Sequence, residues 1–433
     1  MSTFIADVVA ANPSGPDWLR ARRAEAATAL ADVELPTPEE EVWKYSRVDE
    51  LDLDEFSPAP ASDAAGLPSG ADEVVDAIPD RVATVVVRNG RVVDLAVASG
   101  VAARGLRVGP LTDGNGQARL LGTALAGSET ADAFTLLNDA GMVDLVAVRV
   151  PAGVVLDGPV VVVHVTDGDG VATFPRLVVH AGEDSSVSVV EVQASGAERN
   201  LVVPVTEIVA ERAARVGHVT VQQLGLSTWQ IGLQASRVEA EATLRSTSVG
   251  FGGDYARLRT DCRMVGPGAS GELDAIYFGE GDQTLDFRTF QEHVAPDCTS
   301  NLLFKGAVGG RSRSIYTGLI RVGKGARGTN AFQTNRNIKL AEQAWAETTP
   351  NLVIENNDVR CSHASAVGPI DEEQRFYLES RGLPTDVAER LIVGGFFTEV
   401  LAKLPVPGLA PLLARTIATK FERRDAVHEV VGA

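Results

Sequence analysis

Residues 351–384 contain the point at which the chain changes from extended to helical sequence, and they read NLVIENNDVRCSHASAVGPIDEEQRFYLESRGLP. In the first half of this stretch, Val359, Cys361 and His363 alternate with polar residues. Because alternate side chains of a β-strand lie on the same face, Cys361 and His363 are predicted to point in the same direction. The sequence therefore places a thiol and an imidazole together, just before a strand gives way to a helix.

The second half of the stretch carries the start and stop signals of a helix over Asp371–Arg381. Asp371 is a favourable N-cap residue, and Gln374 stands three positions later, where a capping box has its Glu or Gln. Gly382 suits the left-handed position after a helix, and Pro384 prevents the helix from continuing. We therefore expect a short helix that is separated from the strand by only a few residues.

Short runs rich in Val, Leu and Thr fill the chain between residues 143 and 355, with no convincing helical pattern among them. The predicted strands are Val143–Val150, Pro159–Val165, Arg176–His180, Val187–Gln193, Val202–Val209, Val216–Leu224, Gln230–Glu239, Ala242–Val249, Tyr255–Met264, Glu272–Phe278, Thr284–His293, Leu302–Val308, Ser314–Val322, Thr329–Ile338 and Trp345–Ile354. So many short strands indicate an all-β sandwich, barrel or solenoid. A sandwich is the default, because most all-β chains are antiparallel. The length of the region and the even strand spacing favour a solenoid.

The rest of the chain is divided by its turn and helix signals. Helices are predicted over 14–31 (capped by Ser14 or Asp17), 131–140, from Thr385 to Leu404 and over Leu409–Phe421, and a hairpin over 83–98 around Asn89-Gly90. The C-terminal helices are expected to cap the last coil of a solenoid. The predicted regions are a helical and acidic loop-rich part (1–80), a mixed α/β connection (81–142), a β core (143–370) and a C-terminal helical domain (371–433).

Two segments have a strong local charge. Residues 32–80 hold fifteen Asp or Glu against two basic residues, which fits either a solvated linker or a docking surface for a basic partner. Residues 298–341 hold eight basic residues and no acidic one. This second segment is either a mixed solvated face or a positive groove for an acidic partner. The candidate basic patch consists of Arg311, Arg313, Arg321, Lys324 and Arg327.

Composition excludes several classes of protein. A net charge of −19 over 433 residues makes general nucleic-acid binding unfavourable, since phosphate contacts require clustered Lys and Arg. Three dispersed cysteines form no disulfide framework or Cys-x-x-Cys metal motif, and Cys262 and Cys298 are interpreted as non-ligands. No apolar run approaches the roughly 18 residues that cross a membrane, and no positively charged leader is visible. A cytoplasmic protein is expected.

Several motifs resemble the SufB/SufD family, whose members are scaffold subunits of the SUF machine for iron–sulfur cluster assembly. These motifs are Trp43-Lys-Tyr45, Glu292-His293, Ala344–Pro350, Val359-Arg-Cys-Ser-His363, Val367-Gly368, Asp371-Glu-Glu-Gln, Phe376-Tyr-Leu and Ser380-Arg-Gly382. The Cys-Ser-His form resembles the SufD branch. The sequence departs from the family pattern at Ala364-Ser365-Ala366, where Gly-Ala-Thr is expected.

The resemblance implies a right-handed parallel β-helix core with helical ends, and a non-catalytic scaffold that pairs with a SufB-like paralogue. His363, and possibly Cys361, would lie at the SufB-facing interface and help to hold a transient iron–sulfur cluster shared with SufB. A SufC-like ATPase, which would bind and hydrolyse the nucleotide, would dock on the C-terminal helices. Candidate docking residues are Phe376, Tyr377, Arg381, Gly382, Leu391 and Phe396. Without SufB, the chain could form a homodimer.

Two other classes of function compete with this interpretation. A β-helix enzyme acting on polysaccharide would carry paired carboxylates in a long groove, and the abundant Asp and Glu leave this open. A purely structural solenoid would leave Cys361 and His363 without a role. No P-loop, nucleophile elbow or His-Glu-x-x-His motif occurs, so the sequence offers no nucleotide-binding or hydrolase signature of its own.

Overall fold

The structure is a computed structural model that describes residues 2–11, 15–111, 120–127 and 132–430. Its helices are α1 (Ser2–Ala11), α2 (Asp17–Leu30), α3 (Ser69–Asp76), α4 (Ser99–Ala103), α5 (Ala133–Gly141), α6 (Glu372–Ser380), α7 (Thr385–Leu401) and α8 (Ala410–Val430). Short 3-10 turns occupy Glu41–Trp43, Val48–Glu50, Leu53–Glu55 and Pro407–Leu409.

The strands alternate between two sheets along most of the chain. They are β1 (Ser57–Pro58), β2 (Ala83–Arg88), β3 (Arg91–Val97), β4 (Arg107–Pro110), β5 (Leu145–Val150), β6 (Val160–Thr166), β7 (Val171–Thr173), β8 (Arg176–Ala181), β9 (Ser186–Ser195), β10 (Asn200–Val202) and β11 (Val205–Ala210). The set continues with β12 (Arg215–Gln223), β13 (Thr228–Val238), β14 (Thr243–Gly250), β15 (Tyr255–Met264), β16 (Ser270–Gly279), β17 (Thr284–His293), β18 (Thr299–Val308), β19 (Arg313–Val322), β20 (Thr329–Lys339), β21 (Trp345–Ile354) and β22 (Val359–Pro369).

These strands build a parallel β-solenoid of about eight turns, so the expected β-helix is confirmed and the antiparallel sandwich is wrong. Sheet A has the order β21-β19-β17-β15-β13-β11-β8-β5-β4, and sheet B the order β22-β20-β18-β16-β14-β12-β9-β6-β2-β3. From β12 onward each coil gives one strand to each sheet, and the short strands β1, β7 and β10 add to sheet A in the earlier part. Tyr255 pairs with Thr284, and Thr284 with Arg313, a step of 29 residues in both cases. Antiparallel pairs occur only at the other end of the described solenoid, where β2 joins β3 and β4 joins β5.

The interior of the solenoid is narrow and is filled by one inward row from each sheet. Small and β-branched side chains dominate its early coils, which suits the low aromatic content of the chain. Aromatic rings appear in the later coils, where Tyr277 lies 4.6 Å from Phe287 and Phe304 lies 5.4 Å from Tyr316, between ring centroids. The interior of the later coils is therefore packed by aromatic rings, of which Tyr277 and Tyr316 also carry a hydroxyl group.

The acidic N-terminal segment is packed onto the outer face of sheet A. Trp43, Leu53 and Phe56 are buried there. The Arg257 guanidinium lies 3.8 Å from the centroid of the Trp43 ring and donates a hydrogen bond of 2.7 Å to the carbonyl of Val42. Most of the segment's acidic groups stay exposed while its apolar residues anchor it, so it is not a free linker.

The C-terminal helices lie along the side of the solenoid, not over its last coil as expected. Buried Phe397 of α7 and buried Leu413 and Ile417 of α8 join the apolar cluster on the outer face of sheet B. That face is rich in Val, with Val163 and Val192 fully buried. Burial of this apolar surface stabilises the helices against the side of the solenoid. The final coil is consequently left open.

The predicted N-terminal helix is present as α2, but its capping differs from the prediction. Pro16 occupies the N-cap, where no side chain makes a capping hydrogen bond, and Asp17 is the first helical residue. Ser14 lies outside the described residues, as does Ala131 of the other predicted helix, which begins after the cap Asp132. Within the described part of the chain, no helix is both long and apolar enough to cross a membrane.

Candidate functional site

The last coil of the solenoid presents two strand edges. β21 pairs with β19 and β22 pairs with β20, and neither has a second neighbour among the described residues. The outward backbone N–H and C=O groups of such edges are ready to pair with another chain. Most side chains of β22 are exposed. This end of the molecule therefore has the properties of an interface.

Cys361 and His363 lie next to each other in the inward row of β22. The register pairs Cys361 with Ala331 and His363 with Gln333, both of which are buried in the row below. Cys361 packs at the edge of a small apolar cluster that includes Ile320, and its burial raises the pKa of the thiol. His363 is exposed. The alternation in the sequence therefore places both groups on one row, the thiol half-buried and the imidazole in solvent.

A hydrogen-bonded polar layer lies beneath His363. Gln333 Nε2 donates to the Tyr316 hydroxyl at 2.7 Å, and that hydroxyl also bonds Thr289 at 2.9 Å. Asn335 Nδ2 donates to the Tyr277 hydroxyl at 2.9 Å. Sequence reasoning missed this polar layer. The signal for it is the coil-to-coil spacing, which is 30 residues from Gln333 to His363. The layer fixes the side chain of Gln333, the residue that the register pairs with His363.

The terminal coil supplies only part of a metal site. Among the described residues, no three His, Cys, Asp or Glu side chains form a group that could hold a metal ion. Thiolate and imidazole are ligands that iron and zinc accept, but tetrahedral coordination needs further donors. Cys262 and Cys298 are fully buried in the solenoid core, and burial raises the pKa of Cys262 to about 12. Of the two locations that the sequence left open for these cysteines, core or surface, the structure shows the core.

The candidate docking residues form a surface on the α6–α7 hairpin. Phe376 is 71% exposed, Tyr377 57% and Leu391 52%, which is unusual for large apolar side chains. Arg381 and Gly382 are also exposed, at the turn that follows α6, and Gly382 has the predicted left-handed backbone with φ of 87°.

Phe396 differs from the other docking candidates because it is half-buried, with the Lys305 ammonium 4.9 Å from its ring centroid. It lines a groove of about 1110 Å³ between the hairpin and the outer face of sheet B. Arg336, Ile338 and Ala366 form the opposite wall of this groove. Sequence reasoning missed the groove, since it depends on how the hairpin folds back on the sheet.

The five basic candidates do not form one groove. Arg311 and Arg313 lie at the start of β19, and Arg311 is paired with Asp282 at 2.6 Å. Lys324 and Arg327 lie in the turn after β19, at the opposite corner of the coil. A ten-residue strand separates the two pairs by roughly 30 Å. Arg321, near the end of β19, lines a small cavity with Arg259.

Comparison with known proteins gives this architecture a family. The model of the SufBD core domain, described as SUF system FeS cluster assembly, matches residues 164–396. SufBD family protein Mb1497 of Mycobacterium bovis is 34% identical over 311 residues, 69% of this chain and 75% of the relative. SufD of Bacillus subtilis is 30% identical over 280 residues, 63% of each chain.

A second SufBD family protein of Mycobacterium bovis, Mb1496, is 31% identical over 202 residues, covering 47% of this chain and 24% of the relative. One organism thus holds two proteins similar to this chain. The matched core runs from β6 into α7 and includes the terminal coil, with Cys361 and His363, and most of the groove. The chain belongs to the SufB/SufD family of iron–sulfur cluster assembly proteins, as a SufD-like member.

Proposed function

We propose that this protein is a cytoplasmic, non-catalytic scaffold that pairs with a SufB-like paralogue and docks a SufC-like ATPase during iron–sulfur cluster assembly. The observation that carries the proposal is the open terminal coil with a thiol and an imidazole in one row. An unpaired edge that bears metal ligands is suited to complete its site with a partner chain. Family membership favours this function over a polysaccharide enzyme.

His363 is the main candidate for the assembly interface, and Cys361 is the supporting one. The imidazole is exposed on the last strand, and its register neighbour Gln333 is held by Tyr316, so a partner chain can reach the imidazole without disturbing the fold. The Cys361 thiol is half-buried and its pKa is raised, which makes the thiolate less available. A cluster held transiently here would be shared between the two paralogues.

The α6–α7 hairpin is the proposed dock for the ATPase. Its exposed aromatic and aliphatic side chains, Phe376, Tyr377 and Leu391, are of the kind that form the energetic centre of protein interfaces. Arg381 adds a charged group at the edge of the same surface. The described residues carry no strand–loop–helix arrangement with a P-loop sequence, so nucleotide hydrolysis is assigned to the partner.

The test is co-expression with the SufB-like and SufC-like subunits of the same genome, followed by purification of the complex and measurement of its iron and acid-labile sulfide. We expect His363→Ala to leave the three-subunit complex intact and to lower its cluster content at least tenfold. The matched control is Ser362→Ala, which changes the neighbouring side chain on the opposite face of β22.

Two results would contradict parts of the proposal separately. If His363→Ala kept the full cluster content, the site would be misplaced while the scaffold role survived. If the wild-type chain failed to join either subunit, the scaffold role itself would be wrong. Phe376→Asp should release the ATPase alone, which distinguishes the dock from the paralogue interface.

A further inference from the structure

Two adjacent glycines lie in the middle of α7, although no neighbouring atom requires the absence of a side chain there. Gly394 and Gly395 have ordinary helical backbone, since neither has positive φ, and a Cβ atom added at either position would meet no atom within 4 Å. Alanine would therefore fit and would make a more stable helix, because glycine weakens a helix interior. Thr398 Oγ1 also donates a hydrogen bond of 3.2 Å to the Gly394 carbonyl, a contact that often bends helices.

The chain that follows this glycine pair is firmly attached to the solenoid. Lys305 of β18, with a side chain only 7% exposed, donates to the Phe396 carbonyl at 2.9 Å and contacts the Glu399 carboxylate at 2.8 Å. Phe397 and Val400 are fully buried against sheet B. The last part of α7 is thus held by both a buried charge and apolar packing.

Helix α8 is attached to the solenoid in the same way. The buried Lys420 Nζ donates to the Phe251 carbonyl at 2.8 Å and to Glu280 at 2.9 Å. Leu412 and Ile417 are buried on the outer face of sheet B. We call the solenoid together with residues 396–421 the body.

Most of the chain that precedes the glycine pair buries few side chains against the solenoid. Helix α6 has no buried side chain, and the groove of about 1110 Å³ separates it from sheet B. In the first half of α7 only Ala388 and Val393 are buried, and Val393, directly before the glycines, is the buried arm residue that belongs to the apolar cluster on sheet B. We call residues 372–393 the arm.

The ion pair that joins the two helices of the arm is less exposed than the ion pair that joins the arm to the body. Arg375 of α6 pairs with Glu389 of α7 at 3.4 Å, which joins its two helices. Arg390 reaches Glu422 of α8 at 2.9 Å, but both side chains are about half exposed, and such pairs contribute little. The arm can therefore move as one unit.

We propose that Gly394–Gly395 is a hinge about which the arm swings relative to the body, opening and closing the groove. Only Ile370, which is buried in the apolar cluster on sheet B, and Asp371 separate β22 from α6, so a swing of the arm acts through these two residues on the strand that carries Cys361 and His363. The hinge is a property of this chain alone. Its use, to transmit the motion of a docked ATPase to the terminal coil, rests on the proposed function.

The hinge is tested by distance distributions between spin labels on the full chain. One label replaces Tyr377 on the arm and the other Thr419 on the body (Tyr377→Cys with Thr419→Cys), in a Cys361→Ser background because Cys262 and Cys298 are buried. The reference pair, Phe332→Cys with Thr419→Cys, lies entirely on the body. We expect the arm distribution to be at least twice as wide as the reference distribution.

The double variant Gly394→Ala/Gly395→Ala should narrow the arm distribution to the width of the reference pair, which itself should not change. The control is Thr416→Ala, a substitution in α8 on the body, which should leave the arm distribution wide. An arm distribution as narrow as the reference in the wild type, or one unaffected by the two alanines, would overturn the hinge. Either result would leave the scaffold role untouched.

Discussion

His293 shows how an imidazole inside the solenoid differs from the one at its end. It is fully buried at the end of β17, and its Nε2 lies 2.9 Å from the Ser300 hydroxyl. Burial lowers the pKa of His293 to about 4, because the charged imidazolium would lose its hydration. When the chain unfolds between this value and the ordinary pKa of about 6.5, the imidazole takes up a proton.

This depressed pKa makes stability depend on pH. The stabilisation linked to neutral His293 is fully present above pH 6.5 and is lost as the pH falls towards about 4. Between about pH 7 and pH 5, the free energy of unfolding should fall by about 2 kcal/mol more in the wild type than in His293→Gln. Urea unfolding at the two pH values measures this. An equal dependence in the wild type and in His293→Gln would contradict the assignment.

At the residue scale, the alternation of side chains along β22 predicted which residues share a face. It could not predict which residues of other coils lie beneath them. The two-residue period placed Cys361 and His363 in one row, because a strand has that period wherever it lies. Gln333 and Tyr316, which belong to the polar layer beneath His363, come from other coils. Finding them requires the register between coils, which the sequence shows only as an approximate spacing.

Helix α6 buries no side chain, so its stability depends strongly on its N-cap. The Asp371 carboxylate accepts hydrogen bonds from the backbone N–H groups of Glu373 at 2.9 Å and Gln374 at 3.1 Å. Gln374 bonds the carboxylate of Asp371 at 3.2 Å instead of the backbone N–H that a capping box uses. With no buried side chain to compensate, α6 has little else to hold its first turn.

Asp371→Ala should destabilise α6 by about 1 kcal/mol, the usual worth of an N-cap. Hydrogen exchange of residues 372–380 should accelerate about fivefold, while the strands of the body should be unaffected, since no core contact is lost. Asp371→Asn is the control, because it keeps a capping oxygen and should restore most of the protection. Acceleration that spread into β20 and β22 would show that the cap supports the coil as well as the helix.

At the element scale, long strands were predictable and brief ones were not. Tyr255–Met264, Thr284–His293 and Trp345–Ile354 have the predicted bounds. The three-residue strands β7 and β10 were missed, because so few residues show no period. The lateral packing of α7 and α8 was also missed, since it depends on the Val-rich outer face of sheet B, which forms only after the coils stack.

For the whole molecule, the consequence of the solenoid is that its two ends differ. At one end the last pairs are antiparallel, β2 with β3 and β4 with β5, and at the other they are parallel, with β21 and β22 as the edge strands. Among the exposed apolar residues, Val353 and Ile354 belong to β21 and Val367 to β22, while Val93 and Leu95 belong to β3 at the other end. Such edges pair readily with an identical partner when a complementary one is absent.

The isolated chain should therefore form a dimer through its terminal coils, and light scattering coupled to gel filtration measures its mass. Val353→Lys/Val367→Lys places charges on both open strands, where a facing copy would bury them, and should raise the dimer dissociation constant at least tenfold. Val93→Lys is the control, since Val93 is also exposed, at 53%, on the edge strand β3 at the opposite end. A dimer that resisted the double substitution but dissociated with Val93→Lys would place the interface at the end formed by β3 and β4. The open coil would then remain free for a paralogue in every state of the protein.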